Sequence, residues 1–167
     1  SYTRLGMAAL LPHSSLSMKE DYTVQADERN CDNLADRQTI LQMYQPDALC
    51  LQFDDIKNRK IAELREIFTG RQLLYVYHNQ IDARGDKANT EDEIFVACEE
   101  AVREITDFIH RISTSANTYH FIVTSDHGFL YKRDKITESE KISGVSGKKA
   151  FVNRRFIVAD LAVTGDG

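Results

Sequence analysis

The sequence predicts an α/β domain in which a mainly parallel sheet is covered by helices. Apolar runs of strand length occur at Ala48–Phe53, at 73–78 and at Tyr119–Thr124. Stretches with apolar residues at helical spacing lie between them, over Lys57–Phe68 and from 91 to 114. Strands joined by helices in this way run parallel in one sheet. The runs at 73–78 and 119–124 also end in polar side chains of metal-ligand type, and the carboxyl ends of such strands are where ligands bind.

The elements follow in order. Thr3-Arg4-Leu5-Gly6-Met7-Ala8-Ala9-Leu10-Leu11 is a hydroxyl residue opening a short apolar helix, 3–11. Residues 13–32, rich in Ser, Asp and Asn, read as an irregular surface connection. Leu34, Ile40, Leu41 and Tyr44 place a helix over Asn33–Tyr44, ended by Pro46. Ala48–Phe53 is a strand closed by Asp54-Asp55. Ile61, Leu64, Ile67 and Phe68 then repeat at helical spacing, so 57–68 is a helix stopped at Thr69-Gly70. Strand 73–78 leads into a loop carrying Asp82 and Asp86. Thr90-Glu91-Asp92-Glu93 has the capping-box pattern and opens the best helix, 91–114. Its apolar stripe is Ile94, Cys98, Val102, Ile105, Phe108 or Ile109, and Ile112. Strand 119–124 comes next. The charged stretch 132–149 reads as a mobile loop; its glycines and lysines lack phosphate-loop spacing and a following Ser or Thr. Phe151–Ala159 is one last strand, with Arg154 and Arg155 at its centre.

Three places carry chemistry. Asp126-His127-Gly128 stands directly behind the run 119–124. Carboxylate and imidazole suit a divalent cation, and the glycine lets backbone approach closely, although the same residues also suit a plain turn. Asp82 and Asp86, separated by Ala83-Arg84-Gly85, are either ligands or turn formers. Thr3 is either a helix N-cap or a nucleophile, placed where unpaired N–H groups and the helix dipole favour a phosphate. His78 and His120 fall within strand patterns and read as packed or solvent-facing. His110 reads as structural, and Arg4 as a surface cation with a phosphate oxygen as its alternative partner.

The order Thr-x-x-x-x-Ala-Ala-Leu-Leu, Asp-x-x-Gly-Asp, Ser-Asp-His-Gly resembles the alkaline phosphatase-like superfamily of two-metal hydrolases. Within it, the wording of 3–13, 78–86 and 123–134 resembles the PglZ domain of bacterial phage-defence systems of the phage-growth-limitation and BREX type. The resemblance covers nearly the whole chain and implies an alkaline phosphatase-like core. It implies Thr3 as nucleophile, with Thr3, Asp126 and His127 sharing one divalent metal and Asp82 and Asp86 holding a second. An Asp at 86, where related phosphodiesterases have His, hardens that site, so the metals expected are zinc, manganese or magnesium. A metal is needed because a threonine hydroxyl is too weak an acid to attack phosphorus unaided. The family's further aspartate before the nucleophile and its last histidine fall outside 1–167. The chain therefore reads as a partial catalytic core excised from a longer protein.

The function implied is that of a metal-dependent phosphoesterase, a phosphatase or phosphodiesterase, in phage defence. Its partners would be other BREX proteins and a phosphate-ester or nucleotide substrate. The alternative is a catalytically weak, phosphatase-like assembly module that binds defence-system partners. At 167 residues with 42% apolar content, the chain makes one domain with a real core. A net charge of −5, from 21 basic and 26 acidic residues, gives no electrostatic case for gripping nucleic acid, which would fall to other domains. No apolar run reaches membrane-spanning length. Cys31, Cys50 and Cys98 show no CxxC pairing and read as buried reduced thiols, an expectation of a cytoplasmic protein.

Overall fold

A computed structural model describes residues 2–85, 91–128, 150–152 and 157–159. In chain order these form α1 (Thr3–Ala9), β1 (Leu16–Met18), β2 (Val24–Ala26), β3 (Arg29–Asn30), α2 (Leu34–Tyr44), β4 (Leu49–Gln52) and α3 (Phe53–Ile56). There follow α4 (Ile61–Phe68), β5 (Leu74–Tyr77), α5 (Gln80–Gly85), α6 (Glu91–Ser115), β6 (Ala150–Val152) and β7 (Ile157–Ala159).

Strands β4 and β5 pair in parallel, with Leu49 opposite Leu74 and Gln52 opposite Tyr77. Successive side chains on a strand point to opposite faces, and here each face meets its own apolar cluster. Cys50, with Leu73, Tyr75 and Tyr77, packs against Ala8 and Leu11, against Val24 and Ala26 of β2, and against Ile40 and Leu41 of α2. Leu51, Phe53 and Leu74 pack on the other side against Ile56, Leu64, Phe68, Phe108 and Ile112. A parallel pair covered on both faces is the arrangement α/β proteins adopt, because their crossovers place helices there. Burying an aliphatic side chain such as Leu41 or Leu64 stabilises the fold by about 2 kcal/mol each.

Local chemistry sets the helix ends. The Asn33 side chain accepts from the Asp36 N–H at 2.8 Å and starts α2. The Lys60 N–H donates to the Glu63 carboxylate at 2.9 Å and starts α4. The proposed cap at Thr90 lies outside the described residues, as do 132–149.

The structure corrects several expectations. Residues 13–32 are not irregular: β1, β2 and β3 form an antiparallel sheet whose Val24 and Ala26 are buried. Short polar strands escaped notice because only their inward positions are apolar. Asp54 and Asp55 do not close a strand but sit in the first turn of α3, and the helix expected over 57–68 is α4, which starts four residues later at Ile61. The stretch Phe151–Ala159 contains two antiparallel strands, with Val152 opposite Ile157. The stripe on α6 is turned: Ala97, Ala101, Phe108 and Ile112 are buried while Val102 is 63% exposed. Alanines let the helix approach closely, and a stripe chosen by the larger side chains overlooks them.

The largest correction concerns 119–124. These residues form no regular strand, and Ile122 is 94% exposed. An apolar run is compatible with a strand buried on both faces, but a strand exists only through a ladder, and none forms here among the described residues. Parallel pairing is thus present as β4–β5, and the other described ladders are antiparallel.

Candidate active site

Three separate parts of the chain meet at His127. Thr3 opens α1, but the N-cap is Tyr2, and no side chain caps the helix. Thr3 is therefore free of the capping role, and its Oγ1 stands 3.2 Å from His127 Nε2. The Tyr2 hydroxyl donates to the Tyr22 carbonyl at 2.7 Å, and Ala8 is fully buried, so both ends of the short helix are held.

Asp82 lies not in a loop but in the first turn of α5, just past the carboxyl end of β5. Its Oδ2 is 3.6 Å from the same His127 Nε2. Gln80 donates to Asp54 Oδ1 at 3.0 Å, and Lys57 pairs with that oxygen at 2.6 Å. This network ties α5 to α3, which follows β4.

Asp126 and His127 leave the extended stretch side by side. Asp126 Oδ2 lies 3.6 Å from His127 Nε2, is buried, and has no hydrogen-bond partner among the described residues. His127 Nδ1 is 3.2 Å from the Gly128 carbonyl oxygen, which only accepts. In the tautomer that donates from Nδ1 to this carbonyl, Nε2 turns its lone pair to Thr3, Asp82 and Asp126. The Ser125 hydroxyl donates to the His127 carbonyl and braces the turn.

The Thr3 hydroxyl can donate to that lone pair, but the two carboxylate oxygens cannot, and a cation among them would offset their charge. Two donors about 2.1 Å from one tetrahedral cation stand about 3.4 Å apart, close to the separations seen here. An imidazole whose Nδ1–H is fixed by a carbonyl is also the usual state of a metal-binding histidine. The buried, partnerless Asp126 oxygen fits the same group. Among the described residues, no set of three His, Cys, Asp or Glu closes into a metal centre. The Thr3 hydroxyl is a ligand type beyond those four, and Asp86 lies outside the described residues.

Other candidates have plain roles. The His78 ring packs on Phe53 with centroids 4.7 Å apart, and its Nε2 is 3.2 Å from Glu104 Oε2. Arg4 pairs with Asp32 at 3.7 Å. His120 and His110 are exposed. Cys31 and Cys50 are buried free thiols, and Cys98 is half-buried. Among the described residues, no helix is long and apolar enough to cross a membrane.

Sequence reasoning missed the residues that support the site. Asp54 and Gln80 gave no signal beyond their place after apolar runs. Gly6, which lies against the Asp126 backbone, gave a faint one, since a glycine inside a helix is unfavourable unless something packs against it.

A mixed α/β fold with hydroxyl, carboxylate and imidazole groups gathered beyond a parallel strand pair is consistent with an alkaline phosphatase-like domain. The chain belongs to the family of the BREX system PglZ alkaline phosphatase-like domain, which it matches over residues 1–166. It is 36% identical over 164 residues to the alkaline phosphatase-like protein PglZ of Bacillus cereus (strain H3081.97), covering 95% of this chain and 19% of that protein. It is 36% identical over 143 residues to the alkaline phosphatase-like protein BrxZ of Escherichia coli O9:H4 (strain HS), covering 84% of this chain and 16% of that protein. The chain thus spans less than a fifth of the length of these curated relatives. No solved structure matches it.

Proposed function

We propose that this chain is the core of a metal-dependent phosphoesterase that serves phage defence within a larger BREX-type protein. The observation that supports this most directly is the pairing of Thr3 Oγ1 with His127 Nε2, 3.2 Å apart, beside a buried Asp126 oxygen with no hydrogen-bond partner among the described residues. Thr3 is the nucleophile in this reading. Asp126 and His127 hold and orient it through the group they bind, and the Gly128 carbonyl fixes the imidazole. Two divalent cations (zinc, manganese or magnesium) would lower the hydroxyl pKa and neutralise phosphate charge, one held by Thr3, Asp126 and His127 and the other by Asp82 with Asp86. The substrate is a phosphate ester or nucleotide, and the partners are other BREX proteins. With −5 net charge, this part does not itself attract a polyanion, so a nucleic-acid grip belongs to other parts of the protein.

The test is metal analysis of the full-length protein together with hydrolysis of a chromogenic phosphodiester. Two divalent ions per chain, and hydrolysis abolished in both Asp126→Ala and Thr3→Ala, support the reading. A second reading, an assembly module with little turnover, rests on Asp86 standing where related phosphodiesterases have His. It predicts that defence and partner binding survive in those same variants.

A further inference from the structure

Gly6 lies one turn after Thr3 on α1, so the two residues share a helix face. A methyl carbon added at Gly6 would overlap the Asp126 carbonyl oxygen and stand 2.9 Å from the carbonyl carbon and 3.2 Å from the Asp126 Cβ. Two of these three obstacles are backbone atoms, which cannot swing aside as the tip of a flexible side chain can. By contrast, a methyl at Gly128 would meet nothing within 4 Å among the described residues. We propose that Gly6 is a positioning residue: its missing side chain is the socket that seats the Asp126 backbone against α1. That seating brings His127 Nε2 within reach of the Thr3 hydroxyl.

His127 follows Asp126 directly, in a stretch without regular secondary structure, and therefore has no ladder to fix its distance from α1. The helix is held independently, through buried Ala8 and the Tyr2 hydroxyl. When a methyl intrudes, the unladdered 125–128 segment gives way before the helix does. The Thr3–His127 separation of 3.2 Å has no slack to absorb that movement. Intrinsic helix propensity points the other way, since alanine is a better helix former than glycine. The two effects can therefore be separated in one variant. The inference rests on the phosphoesterase reading only for its metal readout.

The experiment compares the full-length protein with its Gly6→Ala variant, both stripped of metal. The first readout is carbethoxylation of His127 by diethyl pyrocarbonate, followed by mass spectrometry and referenced to exposed His120. The His127 side chain is 16% exposed, so a displaced ring should react several-fold faster. The second is Mn²⁺ binding, expected to weaken about tenfold or more, as when a residue supporting a metal ligand is lost. The third is the thermal melt, expected to be unchanged or slightly raised. An unchanged His127 rate overturns the proposal whatever happens to Mn²⁺. Loss of the cooperative melt also overturns it, because the glycine would then serve the core. If the parent protein itself binds no Mn²⁺ but Gly6→Ala exposes His127, the positioning role stands and the metal-dependent function fails.

Discussion

The Asp126 carboxylate presents the sharpest test at the scale of one residue. A buried polar atom without a partner ordinarily costs about 1–3 kcal/mol, and a carboxylate more. A bound cation would offset that cost. Asp126→Asn keeps the shape and drops the charge, so the metal-free protein should melt within a few degrees of the parent. The rise in melting temperature that Mn²⁺ gives the parent should disappear. A full Mn²⁺-induced rise in Asp126→Asn would remove Asp126 from the ligand set. Thr3 separates in the opposite sense. Thr3→Ala should retain Mn²⁺ within about tenfold while hydrolysis falls on the order of 10³-fold or more, and Thr3→Ser should restore part of it. Equal turnover in Thr3→Ala would take the hydroxyl out of the chemistry.

Elements decide whether those residues can meet. Helix α5 carries Asp82, and its tether is the Gln80–Asp54 hydrogen bond, with Lys57 on the same oxygen. Asp54→Ala should lower Mn²⁺ affinity by up to about tenfold with the melt nearly unchanged. The same affinity in Asp54→Ala would show that α6, which α5 packs against, holds α5 unaided. A pH effect belongs to the strand pair. Burial pushes the Cys50 thiol up to about 11 from its ordinary 9.0, and burial also raises the neighbouring Tyr77 phenol. The folded state therefore keeps a proton that the unfolded chain releases. The stability this contributes is complete below pH 9 and drains away as pH rises towards 11. Alkaline melts should fall more gently in Cys50→Ala, and an identical slope in that variant would assign the loss to Tyr77 alone.

The same scale shows what could be read in advance. Strands β4 and β5 and helices α2 and α6 announced themselves because periodic apolar residues are the primary signal of regular structure. The 119–124 run misled, since apolar content specifies burial and not a hydrogen-bonding neighbour. The antiparallel strands around Val24 are too short for a period to register. Thr3, Asp82, Asp126 and His127 were visible as separate chemical motifs, but their meeting around one nitrogen is a property of chain path. Gly6 was hardest, because an absent side chain is informative only when its surroundings are known.

For the whole molecule, the two apolar clusters on opposite faces of β4–β5 set the energetics. Leu41 is fully buried on one face and Leu64 is 1% exposed on the other, and they share no cluster. Replacing either by alanine removes transfer energy and leaves a cavity, at a cost of about 2–5 kcal/mol. Residues separated by a sheet and without shared partners should contribute additively, within about 0.5 kcal/mol. Chemical denaturation of Leu41→Ala, Leu64→Ala and the double variant measures this directly. Coupling of about 1 kcal/mol or more would mean that the strand pair transmits packing strain between its faces. The site draws on both sides, Thr3 from the helix on the Leu41 face and Asp82 from a helix tied to α3 on the Leu64 face. Additive clusters would then predict that Leu41→Ala disturbs Thr3 and leaves the Asp82 position intact, with Leu64→Ala doing the reverse.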